Sequence, residues 1–187
     1  MQKAFLTIGI LFISYFVSAQ NNKNVWQIGM GMAAVKFAKS DVSYIGDQYL
    51  FQIPRFNLTV PINERLSADA ALSFNTIKDI FLISNSIRYF SVDASVRYNF
   101  NELSMQSGFF PFAFVGGSIV GSERKMSPTI NFGGGITYWF KENWGVSSQL
   151  YYKYSLESYE SMRSHIQGTL GIVYNLDFGR SNLPCDH

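Results

Sequence analysis

"FSVDASVRYNF", residues 90–100, alternates without a break. Phe90, Val92, Ala94, Val96, Tyr98 and Phe100 fall on one side of an extended chain, and Ser91, Asp93, Ser95, Arg97 and Asn99 on the other. A run of eleven such residues has the length of a tilted strand crossing a bilayer. Inside lipid a strand must find partners for every backbone N–H and C=O, and only a closed barrel provides them. The fold therefore depends on whether the rest of the chain supplies strands of the same kind.

It does, seven more times. Residues 25–37 place Trp26, Ile28, Met30, Met32 and Ala34 against Gln27, Gly29, Gly31 and Ala33. Residues 49–60 set Phe56, Leu58 and Val60 against Arg55, Asn57 and Thr59, and 64–74 set Leu66, Ala68, Ala70, Leu72 and Phe74 against Ser67, Asp69, Ala71 and Ser73. Residues 110–120 are apolar on both faces, so their facing is ambiguous. Residues 129–140 show Ile130, Phe132, Ile136, Tyr138 and Phe140 against Asn131, Gly133, Gly135 and Thr137. Residues 144–154 show Trp144, Val146, Leu150, Tyr152 and Tyr154 against Gly145, Ser147, Gln149 and Lys153, and "GTLGIVYNLDF", 168–178, closes the series.

The connections alternate in length. Shorter turns at 61–63, 101–109 and 141–143 follow the even strands; longer loops at about 38–48, 75–84, 121–128 and 155–164 follow the odd ones. That is the pattern of an eight-stranded up-and-down transmembrane β-barrel with short periplasmic turns and longer extracellular loops. No linker divides the chain, and one domain is expected over residues 20–178.

Composition agrees. Among 187 residues only 15% are charged and 17% are aromatic, with a net charge of +2. No basic excess points to nucleic acid. The single cysteine, Cys185, rules out a disulfide within the chain. "MQK" followed by "AFLTIGILFISYFV" and "VSAQ" reads as a signal peptide over residues 1–19, cleaved after Ala19. Residues 179–187 are expected to form a short periplasmic tail in which Cys185 and His187 have no assigned role.

Alternation alone would also fit a soluble lipocalin, whose oily face points inward. Three features favour lipid outside. The polar face is rich in Gly and Ser, as a narrow lumen requires. Aromatics gather at strand ends: Trp26, Tyr98, Phe100, Tyr138, Phe140, Trp144 and Phe178 at the periplasmic rim, and Tyr89, Phe90, Tyr152 and Tyr154 at the other. The Gly-x-Trp of lipocalin first strands is replaced by Asn24-x-Trp26.

The final strand carries Thr169, Gly171, Tyr174, Leu176 and Phe178 in the order polar, glycine, aromatic, hydrophobic. It resembles the terminal signal read by the outer-membrane barrel-assembly machinery. With this strand and "INFGGGITYWFKENWGVSSQLYYKY", 130–154, the chain resembles the OmpA/OmpX-type small outer-membrane barrels over about residues 24–178. The "SAQ" signal end looks like precursors of the Bacteroidetes group. The resemblance implies a barrel with polar contents and no wide pore, in the outer membrane of a Gram-negative bacterium. The peptidoglycan-binding domain of larger OmpA-type proteins is not matched, so cell-wall tethering is not carried over.

Inside the barrel, a turn centred on Ile62 would set Arg55 opposite Asp69 and Asn57 opposite Ser67. Arg55, Asp69, Asp93 and Arg97 are then expected to form a lumen ionic network, since a charge in a narrow barrel needs a partner. Other chemistry is sparse. His165, with Ser155, Ser158, Ser161, Ser164, Glu157 and Glu160 nearby in sequence, could be read as a Ser–His–Glu site. No family motif of the lipid A-modifying barrels accompanies it, and no enzyme, cofactor or metal site is expected. Lys36, Lys39, Lys78, Arg124, Lys125 and Arg163 could meet lipopolysaccharide phosphates. The sequence thus predicts a monomer whose partners are outer-membrane lipid, lipopolysaccharide and the assembly machinery. Its role is structural or one of adhesion-like surface interaction. A narrow porin-like channel is the alternative, and a lipid-modifying enzyme the third reading.

Overall fold

A computed structural model describes residues 25–37, 49–75, 89–100, 108–122, 125–157 and 164–176. Every regular element among them is a strand: β1 (Trp26–Phe37), β2 (Leu50–Pro61), β3 (Leu66–Phe74), β4 (Tyr89–Asn99), β5 (Phe109–Ser122), β6 (Lys125–Trp139), β7 (Trp144–Ser155) and β8 (His165–Leu176). Each pairs antiparallel with its neighbours in sequence, and β1 pairs with β8 from Trp26↔Leu176 to Phe37↔His165. That last ladder closes the barrel and leaves no free edge. Residues 1–19, read as a signal peptide, Phe178 and the expected tail lie outside the described residues.

The alternation sorts into an apolar exterior and a lumen that holds most of the buried polar side chains together with a few apolar ones. Met30, Val92, Val96, Val115, Phe132, Leu150 and Ile172 are exposed on the outer face. Gln52, Ser73, Ser91, Asn131, Lys153 and Gln167 are buried on the inner one. A water-soluble barrel would reverse this order, whereas lipid is the solvent that an apolar outer face requires. At the short-turn rim, rings pair up: Tyr98 with Phe100 at 5.1 Å, Phe109 with Tyr138 at 4.6 Å and Trp144 with Tyr174 at 4.8 Å between centroids. Phe140 is exposed nearby and Trp26 is half-buried. Tyr89 does not join the opposite girdle. It is 3% exposed and faces the lumen, as its odd position on β4 dictates.

Two further expectations are corrected. The β2–β3 turn is centred on Glu64, not Ile62, and the pairs are Pro61↔Ser67, Thr59↔Asp69, Asn57↔Ala71 and Arg55↔Ser73. The cause is Asn63, whose side-chain oxygen accepts the N–H groups of Arg65 at 2.9 Å and Leu66 at 2.8 Å. An asparagine in this role replaces a backbone acceptor and sustains a wider turn. The slip is by an even number of residues, so every inward residue stays inward. Asn63→Ala should lower the unfolding free energy by about 1 kcal/mol, read as a lower urea midpoint in detergent micelles with the barrel otherwise intact.

Second, no long loop occupies 121–128. β5 and β6 run on to the pair Ser122↔Lys125, so only positions 123 and 124 separate them. Ser118, Val120, Ser127 and Thr129 keep the inward phase there, so lumen packing extends both strands. β2 also contains a bulge: Gly31 pairs with Arg55 but Ala33 with Gln52, so Met32 faces both Ile53 and Pro54. Proline cannot donate to a ladder and is tolerated at such a site. The bulge switches the inward set from Arg55 and Thr59 to Leu50 and Gln52.

Candidate functional site

An eight-stranded barrel is wide enough only for its own inward side chains. What those side chains do to one another decides whether the lumen is a channel or a core. β5, ambiguous by sequence, turns its even positions inward and sends Phe112 and Phe114 into the barrel. Glycines on β6 make room for them. A side chain on Gly135 would meet the Phe112 ring and the Ser148 carbonyl, and one on Gly133 would meet the Tyr151 stem. Tyr151 stands edge-on to Phe114 at 5.3 Å between centroids. Trp139 likewise lies against Gly145. Aromatic rings and glycines thus alternate around one side of the wall.

Charges pack against these rings. Asp93 on β4 is the hub: its Oδ2 accepts from Arg55 Nη1 on β2 at 2.8 Å, and its Oδ1 accepts from Lys153 Nζ on β7 at 2.6 Å. Arg55 Nη1 also donates to Ser73 Oγ at 2.8 Å. Closer to the short-turn rim, Arg97 Nη2 donates to Asp69 Oδ1 at 3.2 Å, and Thr59 Oγ1 donates to the same oxygen. The Arg97 guanidinium also lies 3.9 Å from the Phe112 ring centroid, where the negative ring face favours it. All five charged side chains are nearly sealed from solvent. A charge buried in this way depends on its partner to repay part of the desolvation cost.

Arg55, Asp69, Asp93 and Arg97 therefore all face the lumen, but in two clusters with other partners than the turn at Ile62 implied. Arg55 meets Asp93, not Asp69, because the wider turn carries it toward Ser73. Lys153 joins them without having been singled out. Alternation had put it on the inner face, yet its partner lies sixty residues away on the far wall. Local pattern reports facing; it does not report which residues meet across a lumen.

Neutral polar contacts pack beside the charges, with Ser118 paired to Asp93 and both Asn131 and His165 paired to Lys153. Ser118 and Thr129 hydroxyls are 2.6 Å apart, and Asn131 Nδ2 donates to Ser118 at 3.1 Å. The Tyr89 hydroxyl and His165 Nε2 share a hydrogen bond at 3.1 Å. His165 is 1% exposed, within this packing. Ser155 Oγ donates to the Glu157 carbonyl at 2.9 Å, and Ser164 Oγ accepts the Ser155 N–H at 3.0 Å, so both hydroxyls help shape the end of β7. Ser158, Ser161 and Glu160 lie outside the described residues, as do Lys39, Lys78, Arg124 and Arg163. Lys36 lies 5.0 Å from the Tyr49 ring. No group of three metal-binding side chains occurs among the described residues.

On β8, Thr169 is buried while Tyr174 and Leu176 are half-buried on the outer face, next to Trp144 and Trp26 respectively. Gly171 sits directly opposite Gly31 across the seam that closes the barrel.

No family model and no curated protein matches the sequence. Solved structures do match. The N-terminal β-barrel domain of Pseudomonas aeruginosa OprF is 14% identical with a TM-score of 0.56, covering 82% of this chain and 100% of that one. P. aeruginosa outer membrane protein OprG is 13% identical with a TM-score of 0.56, covering 85% and 99%. Ail, the attachment invasion locus protein of Yersinia pestis, solved with the heparin analogue sucrose octasulfate, is 15% identical with a TM-score of 0.54, covering 83% and 100%. At these identities the likeness is one of fold, and the fold is the eight-stranded transmembrane β-barrel of outer-membrane proteins.

Proposed function

We propose that this chain is an integral outer-membrane barrel of a Gram-negative bacterium that does not conduct, and that its role is structural or one of surface interaction. The observation that carries the reading is the Asp93 hub, which ties β2, β4 and β7 together through Arg55 and Lys153 across the lumen. A permeation path needs a continuous wet column. Here salt bridges and the Phe112, Phe114 and Tyr151 rings occupy the same cross-section. A scaffold with a solid interior leaves chemistry to the segments that join its strands outside the membrane. Adhesion fits this arrangement, as in Ail, whose structure holds a heparin analogue. Lipid and lipopolysaccharide are the partners the apolar belt and flanking basic residues suit.

The test is electrical. Purified full-length protein in planar bilayers should show no stable current steps, while the same preparation shows a heat-dependent gel shift typical of folded barrels. Steady conductance from wild type would replace this reading with the narrow-channel one. Loss of both the gel shift and membrane fractionation would remove the barrel from the membrane altogether.

A further inference from the structure

The lumen is not completely filled. A cavity of about 20 Å³ lies between β1, β2, β7 and β8, lined among others by Arg55, Asn57, Ser147, Gln149 and Thr169. Gly31 and Gly171, paired across the barrel seam, also line it. Its volume is on the order of one or two water-sized occupants.

We propose that this cavity binds one small monatomic anion, with chloride as its ordinary occupant. Three observations converge. First, the walls are rich in unused donors. Arg55 spends only Nη1 on Ser73 and Asp93, and its remaining N–H groups meet no protein acceptor among the described residues. The side chains of Asn57, Gln149 and Thr169 also form no hydrogen bond with the protein there. Arg55, Gln149 and Thr169 are each at least nine-tenths buried.

Second, the buried charges do not balance. Among the described residues, the lumen holds the cations Arg55, Arg97 and Lys153 against the carboxylates Asp69 and Asp93. An uncompensated charge in a desolvated interior is costly, and a bound anion removes the excess. Third, no carboxylate lines the cavity, so an anion there meets donors and no like charge. A water molecule would satisfy the donors but leave the charge unbalanced, whereas a halide does both. The site rests on lumen packing and not on the surface role proposed above, so conductance and anion occupancy can fail separately.

Bromide is the probe. Full-length protein refolded and crystallised in sodium bromide should show an anomalous peak in the cavity beside Arg55. In solution, replacing gluconate by bromide at constant ionic strength should raise the thermal midpoint by about 2–4 °C, the shift for a ligand several-fold above its dissociation constant. Thr169→Val and Gln149→Leu each remove a donor without touching the ion pairs and should abolish that salt-specific shift. If either variant fails to fold, the wild-type anomalous map still decides. Water alone in the cavity, with equal midpoints in the two salts, overturns the proposal.

Discussion

Asp93→Asn should lower the unfolding free energy of the barrel by about 3–5 kcal/mol, the cost of leaving a buried charge without its partner. Two cations depend on this one carboxylate. Lys153 is fully buried, and its ammonium donates to Asp93 Oδ1 at 2.6 Å. Arg55 Nη1 takes the other oxygen at 2.8 Å. Asparagine preserves the shape and one acceptor, so the loss reports charge and not a cavity. Lys153→Met should cost less, because Arg55 still holds Asp93 and the thioether chain fills much of the lysine's space. The double variant Asp93→Asn, Lys153→Met should then be less damaged than the sum of the singles, since one change removes the charge that the other strands. Urea titration in liposomes, followed by tryptophan fluorescence, measures all three. A loss below about 1 kcal/mol for Asp93→Asn would place it in the range of exposed pairs and mean that the lumen is wet. The closed-lumen reading would fall with it.

The comparison of Asp93 with Lys153 also marks how far the sequence could be read. Facing was legible almost throughout, because a strand's period of two is local and each of these strands has one apolar side. Val92 and Asp93 could be sorted without knowing a single neighbour. Cross-strand register was not legible where a side chain intervened. The hydrogen bonds to the Asn63 oxygen widen the short turn expected at 61–63, and this redirects Arg55 from Asp69 to Asp93. β5 was illegible for another reason. Its inner face carries Phe112, Phe114 and Val120, which are as apolar as its outer Val115 and Ile119. Those rings belong inside because Gly133 and Gly135 on the neighbouring strand leave room for them, a fact that lies in the pairing and not in either strand alone. The extra length of β5 and β6 was hidden in the same way: Ser127 and Gly121 look like loop residues until they are seen to continue the ladder.

Gly133→Ala should destabilise the barrel by about 3 kcal/mol, the upper end of what overpacking costs, whereas Gly168→Ala should stabilise it by about 0.4–1 kcal/mol. Both glycines sit within strands, and composition cannot distinguish them. Position can. A Cβ on Gly133 would point into the lumen and stand 2.3 Å from the Tyr151 Cβ and 2.4 Å from the Leu150 carbonyl oxygen. Neither atom is the tip of a flexible side chain, so β6 and β7 themselves must separate. Such a shift also disturbs the hub, because Tyr151 and Lys153 are inward neighbours on β7. A Cβ on Gly168 would point toward lipid and approach only Leu150 Cδ1, at 3.9 Å, which is ordinary contact. There the methyl group restricts the unfolded chain at no steric cost. The same urea titration, with the heat-dependent gel shift as a check of assembly, compares the two. Equal effects would mean that the inward and outward faces are not distinguished by packing. Opposite signs would tie the "GGG" of residues 133–135 to the rings it accommodates, and so to the reason the lumen is closed.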